Sequence, residues 1–288
     1  MVVLITGVNG QLGQALQSVS GNYPEIDFVF CSSSELNITD STNCESVFAK
    51  HQPDFCINAA AYTGVDKAES EYENAHAINV IGTKNLADAC KKHNSILLHI
   101  STDFVFDGEK ITPYTEDDLP NPTGVYGQTK LDGEQALQTI WEKHFIVRTS
   151  WVYSQFGNNF MKTMLRLASE RDTLSVVNDQ IGTPTHAVDL AEALIGMIVF
   201  CHANPVKESQ FGIYNFSNEG QCSWFDFAKK IFEVNNKTIT VHPIPTSAYP
   251  TPARRPKYSV LDKSKIKKTF GLTIRKWEEA LYPFPSDK

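Results

Sequence analysis

The sequence predicts an α/β protein with a doubly wound parallel sheet, because short apolar runs alternate with helical stretches through its first half. Runs that predict strands covered on both faces lie at residues 2–6, 27–31, 55–58, 96–102 and 145–149. The first run leads directly into glycines, and several others end in polar residues. Since the ligands of a parallel sheet lie at the carboxyl ends of its strands, these residues predict one shared cleft.

The glycines after the first strand predict a nucleotide site. Gly7, Gly10 and Gly13 recur at intervals of three between a strand and a helix. Such spacing permits a tight turn, a close approach of the backbone to a pyrophosphate, and a helix N-terminus that favours the phosphates. The weaker interpretation is a purely structural turn. The fold is therefore predicted to be Rossmann-like.

Residues near the second and third strands bear on the cofactor. Cys31 stands where an NAD-specific site normally carries an acid for the ribose 2′-hydroxyl, so NADPH is favoured. No arginine is present there to bind a 2′-phosphate, so NADH is also predicted to be accepted to some degree. The small side chains of 59–61 after Asn58 suit a cofactor lying on the backbone, or simply tight helix–sheet packing.

The run from Thr102 to Lys130 carries the predicted chemistry. Tyr126 and Lys130 are four residues apart, so on a helix they share one face. An ammonium beside a phenol lowers the phenol's pKa, which suits proton transfer near neutral pH. A solvated helix face is the competing interpretation. Asn79 is predicted either to be exposed or to be buried near Lys130, bonding a strand carbonyl or a water molecule.

Composition excludes several classes of protein. A net charge of −7 and the absence of a basic stripe argue against nucleic acid as a partner. No apolar run approaches the ~20 residues that span a bilayer, so no membrane association is expected. The six cysteines have no metal-like spacing and predict buried thiols in a reducing compartment, hence a cytoplasmic protein.

The chain after residue 150 changes character, with irregular loops and many prolines. We expect residues 1–150, together with roughly 186–203, to form the nucleotide-binding Rossmann domain. Residues 151–185 and 204–288 are expected to form a smaller C-terminal lobe that makes the other wall of the cleft.

Several motifs together resemble the dTDP-4-dehydrorhamnose reductases, a family of extended short-chain dehydrogenase/reductases. The general superfamily features are the glycine motif, Asn58 with the alanines after it, and Thr102 with the Tyr126/Lys130 pair. The segments that resemble the family more closely are 58–69, 101–108, 125–130, 148–153, 157–160, 178–185 and 245–253. The likeness covers nearly the whole chain.

The resemblance implies a reduction of the C4 ketone of dTDP-4-dehydro-6-deoxy-L-mannose to dTDP-L-rhamnose by NADPH. Tyr126 would donate the proton, Lys130 would hold the nicotinamide ribose, and Thr102 would bond the carbonyl oxygen. The predicted substrate-binding residues are Val65, Thr102, Asp103, Phe104, Tyr126, Trp151 and Arg255. The predicted cofactor-binding residues are Gly7, Asn9, Gly10, Gln11, Leu12, Gly13, Asn37, Ile38, Asn58, Ala59, Ala60, Ala61, Tyr62, Thr63, Tyr126 and Lys130.

The sequence departs from the family pattern at a few positions. Phe104 stands where many relatives have tyrosine, which removes one hydroxyl contact. Ala15 and Val188 stand where some members carry glutamates that bind Mg²⁺ between subunits, so no bridging metal is expected. A monomer or a homodimer is predicted.

Two other functions remain open at this stage. One is a catalytically silent NADP-binding subunit of the kind that resembles this family and regulates methionine adenosyltransferase. The other is a nucleotide-sugar epimerase or 4,6-dehydratase of the same superfamily.

Overall fold

The computed structural model describes residues 1–204 and 206–282 and contains a six-stranded, wholly parallel sheet. The strands are β1 (Val2–Thr6), β2 (Asp27–Cys31), β3 (Phe55–Asn58), β4 (Ile96–Thr102), β5 (His144–Thr149), β6 (Val152–Tyr153), β7 (Thr173–Val177), β8 (Ile181–Gly182), β9 (Thr185–His186), β10 (Gly212–Asn215), β11 (Cys222–Ser223) and β12 (Thr240–Ile244). The order across the large sheet is β2-β1-β3-β4-β5-β10. The strand order therefore reverses between β1 and β3, because β2 lies on one side of β1 and the later strands lie on the other.

Helices cover both faces of this sheet. In the described residues the α-helices are α1 (Gln11–Ser20), α2 (Ser41–His51), α3 (Val65–Ala68), α4 (Tyr72–His76), α5 (Thr83–His93), α6 (Val125–Ile140), α7 (Phe160–Glu170), α8 (Ala187–Ala203), α9 (Trp224–Val234), α10 (Ser264–Phe270) and α11 (Trp277–Ala280). Val3 and Ile5 of β1 pack with α1 and α8, whereas Leu4 packs with α2 and α5 on the opposite face. This alternation confirms the predicted doubly wound α/β fold.

The edge strand β10 corrects the predicted boundary of the smaller lobe. All of 204–288 is expected in that lobe, but β10 pairs in parallel with β5. Tyr214 of β10 and Phe270 of α10 are buried against Phe145, in the same core as α1 and α8. The large aromatic side chains of this segment therefore complete the sheet's apolar face.

A separate apolar core lies in the part of the chain that includes α7, α9 and the parallel pair β7–β12. Its centre contains Met161, Phe227 and Ile231, all buried. The smaller lobe and its limits remain a prediction.

Local sequence features account for where key helices begin and how closely they pack. Asp40 caps α2 by accepting hydrogen bonds from the backbone N–H groups of Thr42 and Asn43. Gly127 and Gly133 let α6 approach the rest of the domain, because a Cβ at either position would collide with the backbone oxygen of Phe104 or Asn79, respectively. The helix that carries Tyr126 and Lys130 is thereby pressed against the sheet's carboxyl edge.

All six cysteines are free and buried. Within residues 1–204 and 206–282, no helix is long and apolar enough to cross a membrane. The same residues contain no group of three or more His, Cys, Asp or Glu side chains that could hold a metal ion.

Candidate active site

A cavity of about 680 Å³ opens at the carboxyl ends of β1, β3, β4 and β5. It lies where the strand order reverses, which is the position at which open α/β sheets bind ligands. The predicted catalytic residues Thr102, Tyr126 and Lys130 all line it. So do Val65, Asp103, Phe104, Trp151 and Arg255, the remaining predicted substrate contacts.

The glycine loop has the geometry that a dinucleotide pyrophosphate requires. Gly7 has a positive φ of 68°, and a Cβ there would lie 2.6 Å from the backbone nitrogen of Ala60. A Cβ at Gly13 would collide with the backbone of Gly7 and Val8. Gly10 lines the cavity directly before α1, and a Cβ there would meet only the Gly7 oxygen, at 3.2 Å. The glycine loop therefore leaves room for a phosphate at the N-terminus of α1.

The predicted cofactor contacts divide into those that line the cavity and those that support it. Asn9, Gly10, Gln11, Leu12, Asn58, Ala59, Ala61, Thr63, Tyr126 and Lys130 line it. Gly7, Gly13, Asn37, Ile38, Ala60 and Tyr62 are not among its lining residues. For the last group a direct contact with the cofactor stays a prediction.

Three side chains in that second group are engaged elsewhere. Ile38 packs against Gly82, Asn37 Oδ1 accepts hydrogen bonds from Thr39, and the Tyr62 hydroxyl donates to Glu71 over 2.8 Å.

Thr102 and Tyr126 form the polar centre of the cavity. Thr102 ends β4 and lines the cavity together with Tyr126. The Thr102 hydroxyl donates to Asp103 Oδ1 over 3.1 Å and accepts from the Phe104 N–H over 3.2 Å. These bonds fix the Thr102 hydroxyl at the carboxyl edge of the sheet.

The predicted lowering of the pKa of Tyr126 by Lys130 is wrong for this structure. Burial raises the pKa of Tyr126 to about 12, and the nearby Asp103 charge adds to the rise. The nearby Thr102 hydroxyl opposes this rise without cancelling it. The Lys130 amine is instead bonded to His99 Nε2 and to the Ile100 carbonyl oxygen, at 3.2 and 2.6 Å. Tyr126 therefore keeps its proton at neutral pH.

Lys130 and Asn79 are both buried, although neither is an apolar side chain. Burial lowers the pKa of Lys130 to about 8, and the Glu134 charge works against that change. Asn79 bonds the backbone N–H and C=O of Tyr62 and the hydroxyl of Thr129, at 2.9, 3.2 and 3.1 Å. Asn79 is therefore buried, which is one of its two predicted states. Its hydrogen-bond partners lie in a loop and in α6 rather than in a strand.

Asp103 is a buried acid beside the reacting hydroxyls. Burial raises its pKa to about 6, while hydrogen bonds with Ser259 and Thr102 lower it. Phe104, which replaces the expected tyrosine, packs edge-on against Tyr126, with ring centroids 5.6 Å apart. This position therefore contributes packing around the phenol.

The opposite wall of the cavity contains an aromatic stack and an arginine. Trp151 has a left-handed backbone with φ of 47°, and its ring lies 3.5 Å from that of Trp224, interplanar angle 11°. Arg255 pairs with Asp66 over 2.7 Å and lies 5.8 Å from the Phe104 ring centroid. The wall thus offers a flat apolar surface next to a cation.

Several cavity residues were absent from the predicted site. They are Ile100, Ser101, Thr149, Ser150, Val152, Gly157, Asn158, Asn159, Gln180, Leu190, Trp224 and Pro256. Seven of these lie in the segments 148–153, 157–160 and 178–185, whose resemblance to the family gives no role for each residue. Trp224 had no such signal, because it reaches the cavity only through its stack on Trp151.

The end of β2 has no acid at Cys31. The Glu35 carboxylate nearby accepts hydrogen bonds from the N–H and the hydroxyl of Ser32, at 2.8 and 2.7 Å. These bonds hold the pKa of Glu35 below its usual value. Glu35 is not among the residues that line the cavity, and the expectation of NADPH stands.

A Rossmann-like sheet, a glycine-rich phosphate loop and a Thr-Tyr-Lys set at one carboxyl edge define an oxidoreductase of the extended short-chain dehydrogenase/reductase class. The family model described as the RmlD substrate binding domain matches residues 1–286. A dTDP-4-dehydrorhamnose reductase of Aggregatibacter actinomycetemcomitans is 45% identical over 289 aligned residues, covering 97% of this chain and 96% of the relative. The chain belongs to this family of dTDP-4-dehydrorhamnose reductases.

Solved structures agree in fold over nearly the whole chain. The crystal structure of a dTDP-4-dehydrorhamnose reductase from Clostridium acetobutylicum has a TM-score of 0.91 and 42% identity, covering 98% of this chain and 97% of that one. The enzyme from Bacillus anthracis, solved in complex with NADP, has a TM-score of 0.91 and 42% identity, covering 97% and 96%.

Proposed function

We propose that this protein reduces the C4 ketone of dTDP-4-dehydro-6-deoxy-L-mannose with NADPH, giving dTDP-L-rhamnose. The observation that carries the proposal is the Thr102–Tyr126 hydroxyl pair in the same cavity as the glycine loop. Family membership supports this activity over a silent regulatory subunit and over an epimerase or dehydratase.

Tyr126 is suited to act as the proton donor. As hydride reaches C4, the carbonyl π electrons move to O4, and the resulting alkoxide takes the phenolic proton. A donor must hold its proton until the alkoxide forms, and Tyr126, whose pKa is raised by burial to about 12, is protonated at neutral pH. The Thr102 hydroxyl, which lines the same cavity, would orient the ketone oxygen and stabilise its developing charge.

NADPH, when bound, supplies the hydride to C4. The residues that would hold it are the loop from Asn9 to Leu12, the segment from Asn58 to Thr63, and Lys130. The glycine loop and the N-terminus of α1 would bind its pyrophosphate. Lys130 would bind the nicotinamide ribose, since its amine reaches the cavity between β4 and α6. We propose that NADH is used less well.

The opposite wall would recognise the substrate. We propose that Trp151 packs against the sugar and that Arg255 faces the diphosphate, with Val65, Asp103 and Phe104 completing the sugar site. The wall's aromatic stack and its cation suit these two parts of a nucleotide sugar. We further propose a monomer or homodimer without a bridging metal, and a cytoplasmic location, which the six free cysteines support.

The proposal is tested by following NADPH consumption with dTDP-4-dehydrorhamnose, using wild type, Tyr126→Phe and Tyr72→Phe. Loss of the proton donor should lower kcat by about 10²- to 10⁴-fold, while NADPH affinity stays close to that of wild type. Tyr72→Phe is the matched control, because Tyr72 is exposed and does not line the cavity.

Each alternative has its own outcome in this assay. No turnover by wild type, with clear NADPH binding, would support the regulatory subunit instead. NAD⁺ retained tightly through purification would support an epimerase or dehydratase. A parallel assay with NADH measures the cofactor preference.

A further inference from the structure

The glycine loop contacts the segment 154–159, which leads into α7, at one end of the cavity. Gln11, the first residue of α1, lines the cavity together with Gly157, Asn158 and Asn159. Gln11 and Asn159 are 148 positions apart and are hydrogen-bonded to each other. The fold therefore joins the loop that would bind the cofactor's phosphates to a distant part of the cavity's border.

The Gln11 amide bonds this segment and the strand before it. Its Oε1 accepts from Asn159 Nδ2 over 2.9 Å and lies 3.1 Å from the Ser154 hydroxyl. Its Nε2 donates to the Val152 carbonyl oxygen over 3.4 Å. The single Ser154 proton can go instead to the Phe156 carbonyl oxygen at 3.2 Å, so the bond from Asn159 is the one that does not depend on this choice.

Asn159 connects Gln11 to the N-terminus of α7. Its Oδ1 accepts from the Lys162 N–H over 3.1 Å, which caps the helix. Its Nδ2 lies 2.7 Å from the Ser154 carbonyl oxygen and 2.9 Å from Gln11 Oε1. The reversed amide would set an NH₂ group against the Lys162 N–H and an oxygen against the Ser154 oxygen. Asn159 therefore uses its oxygen for α7 and its nitrogen for Gln11 and Ser154.

Packing also brings the segment close to Gln11. Gly157 has a positive φ of 58°, and a Cβ there would lie 3.1 Å from Gln11 Cγ. Phe156 is partly buried and packs against the core that contains α1 and α8. Gly157 and Asn158 are exposed, so the contacts that hold this part of the chain come from Gln11, Phe156 and Asn159.

The two helix N-termini at this end of the cavity differ in their caps. The Asn159 side chain caps α7, whereas the N-cap of α1 is Gly10, which has no side chain to bond the first N–H groups. The first N–H groups of α1 therefore remain available to an anion. The segment 154–159 lies beside them through its bonds to Gln11, so it borders the place where a phosphate would bind.

We propose that Gln11 is a positioning residue, whose side chain holds the segment 154–159 against the glycine loop so that the border of the cofactor's phosphate site is formed before the cofactor binds. The backbone of Gln11 would serve the phosphates, and its side chain would serve the border. A border that is already ordered loses less conformational entropy on binding, which raises affinity. The inference rests on the proposed NADPH site and does not depend on which sugar is reduced.

The first test measures amide hydrogen exchange over residues 155–163 in the protein without cofactor. Gln11→Met keeps the length of the side chain and removes its hydrogen bonds. We expect exchange over these residues to become about threefold to tenfold faster, because bonds that order the segment are lost. Unchanged exchange in the folded variant would overturn the proposal, and this readout needs neither cofactor nor substrate.

Gln14→Met is the matched control for this test. Gln14 lies three residues further along α1 and donates to the Asn9 carbonyl oxygen over 2.8 Å. The variant therefore loses a glutamine bond to the glycine loop but none to the segment 154–159, and exchange over 155–163 should equal that of wild type. Equally fast exchange in both variants would show that general loosening of the loop exposes the segment, which contradicts the proposal.

The second test is a double-mutant cycle on NADPH affinity, measured by calorimetry. Asn159→Ser keeps a hydroxyl that can cap α7 but loses the amide that reaches Gln11. If Gln11 acts through Asn159, Gln11→Met and Asn159→Ser should each weaken NADPH binding by about threefold to tenfold, and the double variant should lose no more than the weaker single variant.

Two results of the cycle would overturn the proposal. Additive losses would show that the Gln11 side chain contacts the cofactor directly, and unchanged affinity would show that the border does not serve the cofactor. Failure of the wild-type protein to bind NADPH would contradict the proposed function, while the exchange test would still decide whether Gln11 holds the segment.

Discussion

The two walls of the cleft are held in place by different kinds of interaction. On the sheet wall, Thr102 ends a strand whose register is fixed by backbone hydrogen bonds, and Gly7 lies on the neighbouring loop. On the opposite wall, Trp151 stacks on Trp224, which also packs against Phe160, and Arg255 forms a partly exposed ion pair with Asp66. The difference suggests that proton and hydride transfer use the rigid wall, whereas substrate recognition uses the more adaptable one.

The largest effect is expected from Gly7→Ala, which disturbs the rigid wall. The alanine would need a left-handed backbone and would place a Cβ 2.6 Å from the Ala60 nitrogen. We expect a loss of about 1–3 kcal/mol in the free energy of unfolding and a fall in NADPH affinity of about 100-fold. Calorimetry and NADPH titration measure the two quantities.

The matched control for this change is Gly21→Ala at the other end of α1. Gly21 has right-handed φ and no atom within 4 Å of an added Cβ. It should leave NADPH affinity unchanged and stabilise the fold by about 0.4–1 kcal/mol. Equal loss of affinity in both variants would contradict the role assigned to the loop.

The next effect concerns the pH dependence of the same wall. Burial raises the pKa of Asp103 to about 6, so its carboxylate is charged above that pH and gains a proton as the pH falls below it. The neutral acid is a weaker acceptor for the Thr102 hydroxyl, so kcat/KM for the sugar nucleotide should fall about tenfold per pH unit on the acid side. Asp103→Asn should lack this acid limb; a limb that persists in the variant belongs to another group.

A smaller effect should follow from disrupting the adaptable wall with Trp224→Ala. The stack on Trp151 is worth about 0.5–1.5 kcal/mol, so KM for the sugar nucleotide should rise about threefold to tenfold. NADPH affinity should not change. Trp224→Phe keeps a ring in the stack and should recover most of the loss, and an equal KM in the two variants would argue against stacking.

The smallest effect is expected at the ion pair. Arg255→Gln removes a cation from the rim of the cleft, where solvent screens its charge, so KM should rise only a few-fold, and less at high salt. Arg254→Gln is the control: Arg254 pairs with Glu109, is exposed and does not line the cavity. A similar rise in KM for both variants would indicate a general charge effect rather than a contact.

The sequence was sufficient for the features that depend on neighbouring residues. The strands β1 to β5 and the glycine loop each follow from a short pattern, and the structure contains all of them. Thr102, Tyr126 and Lys130 reach one cavity because parallel strands end at one edge.

What the sequence could not predict depends on distant contacts. The pKa of Tyr126 rises because burial outweighs the local charge pattern, and burial is a property of the whole fold. The Lys130 amine bonds His99, thirty-one positions earlier. Likewise, β10 joins the sheet across more than sixty residues from β5, a separation at which no local periodicity gives a signal.

The reactivity of the buried cysteines measures how often the protein opens to solvent. Burial raises the pKa of Cys44 and Cys201 to about 12, and these thiols lie on opposite faces of the sheet, whereas Cys222 lies in the core around α9. A thiol reagent can therefore react with each only when the layer above it separates. Mass spectrometry of the alkylation rate of each cysteine would show which of the three cores becomes accessible to water most often.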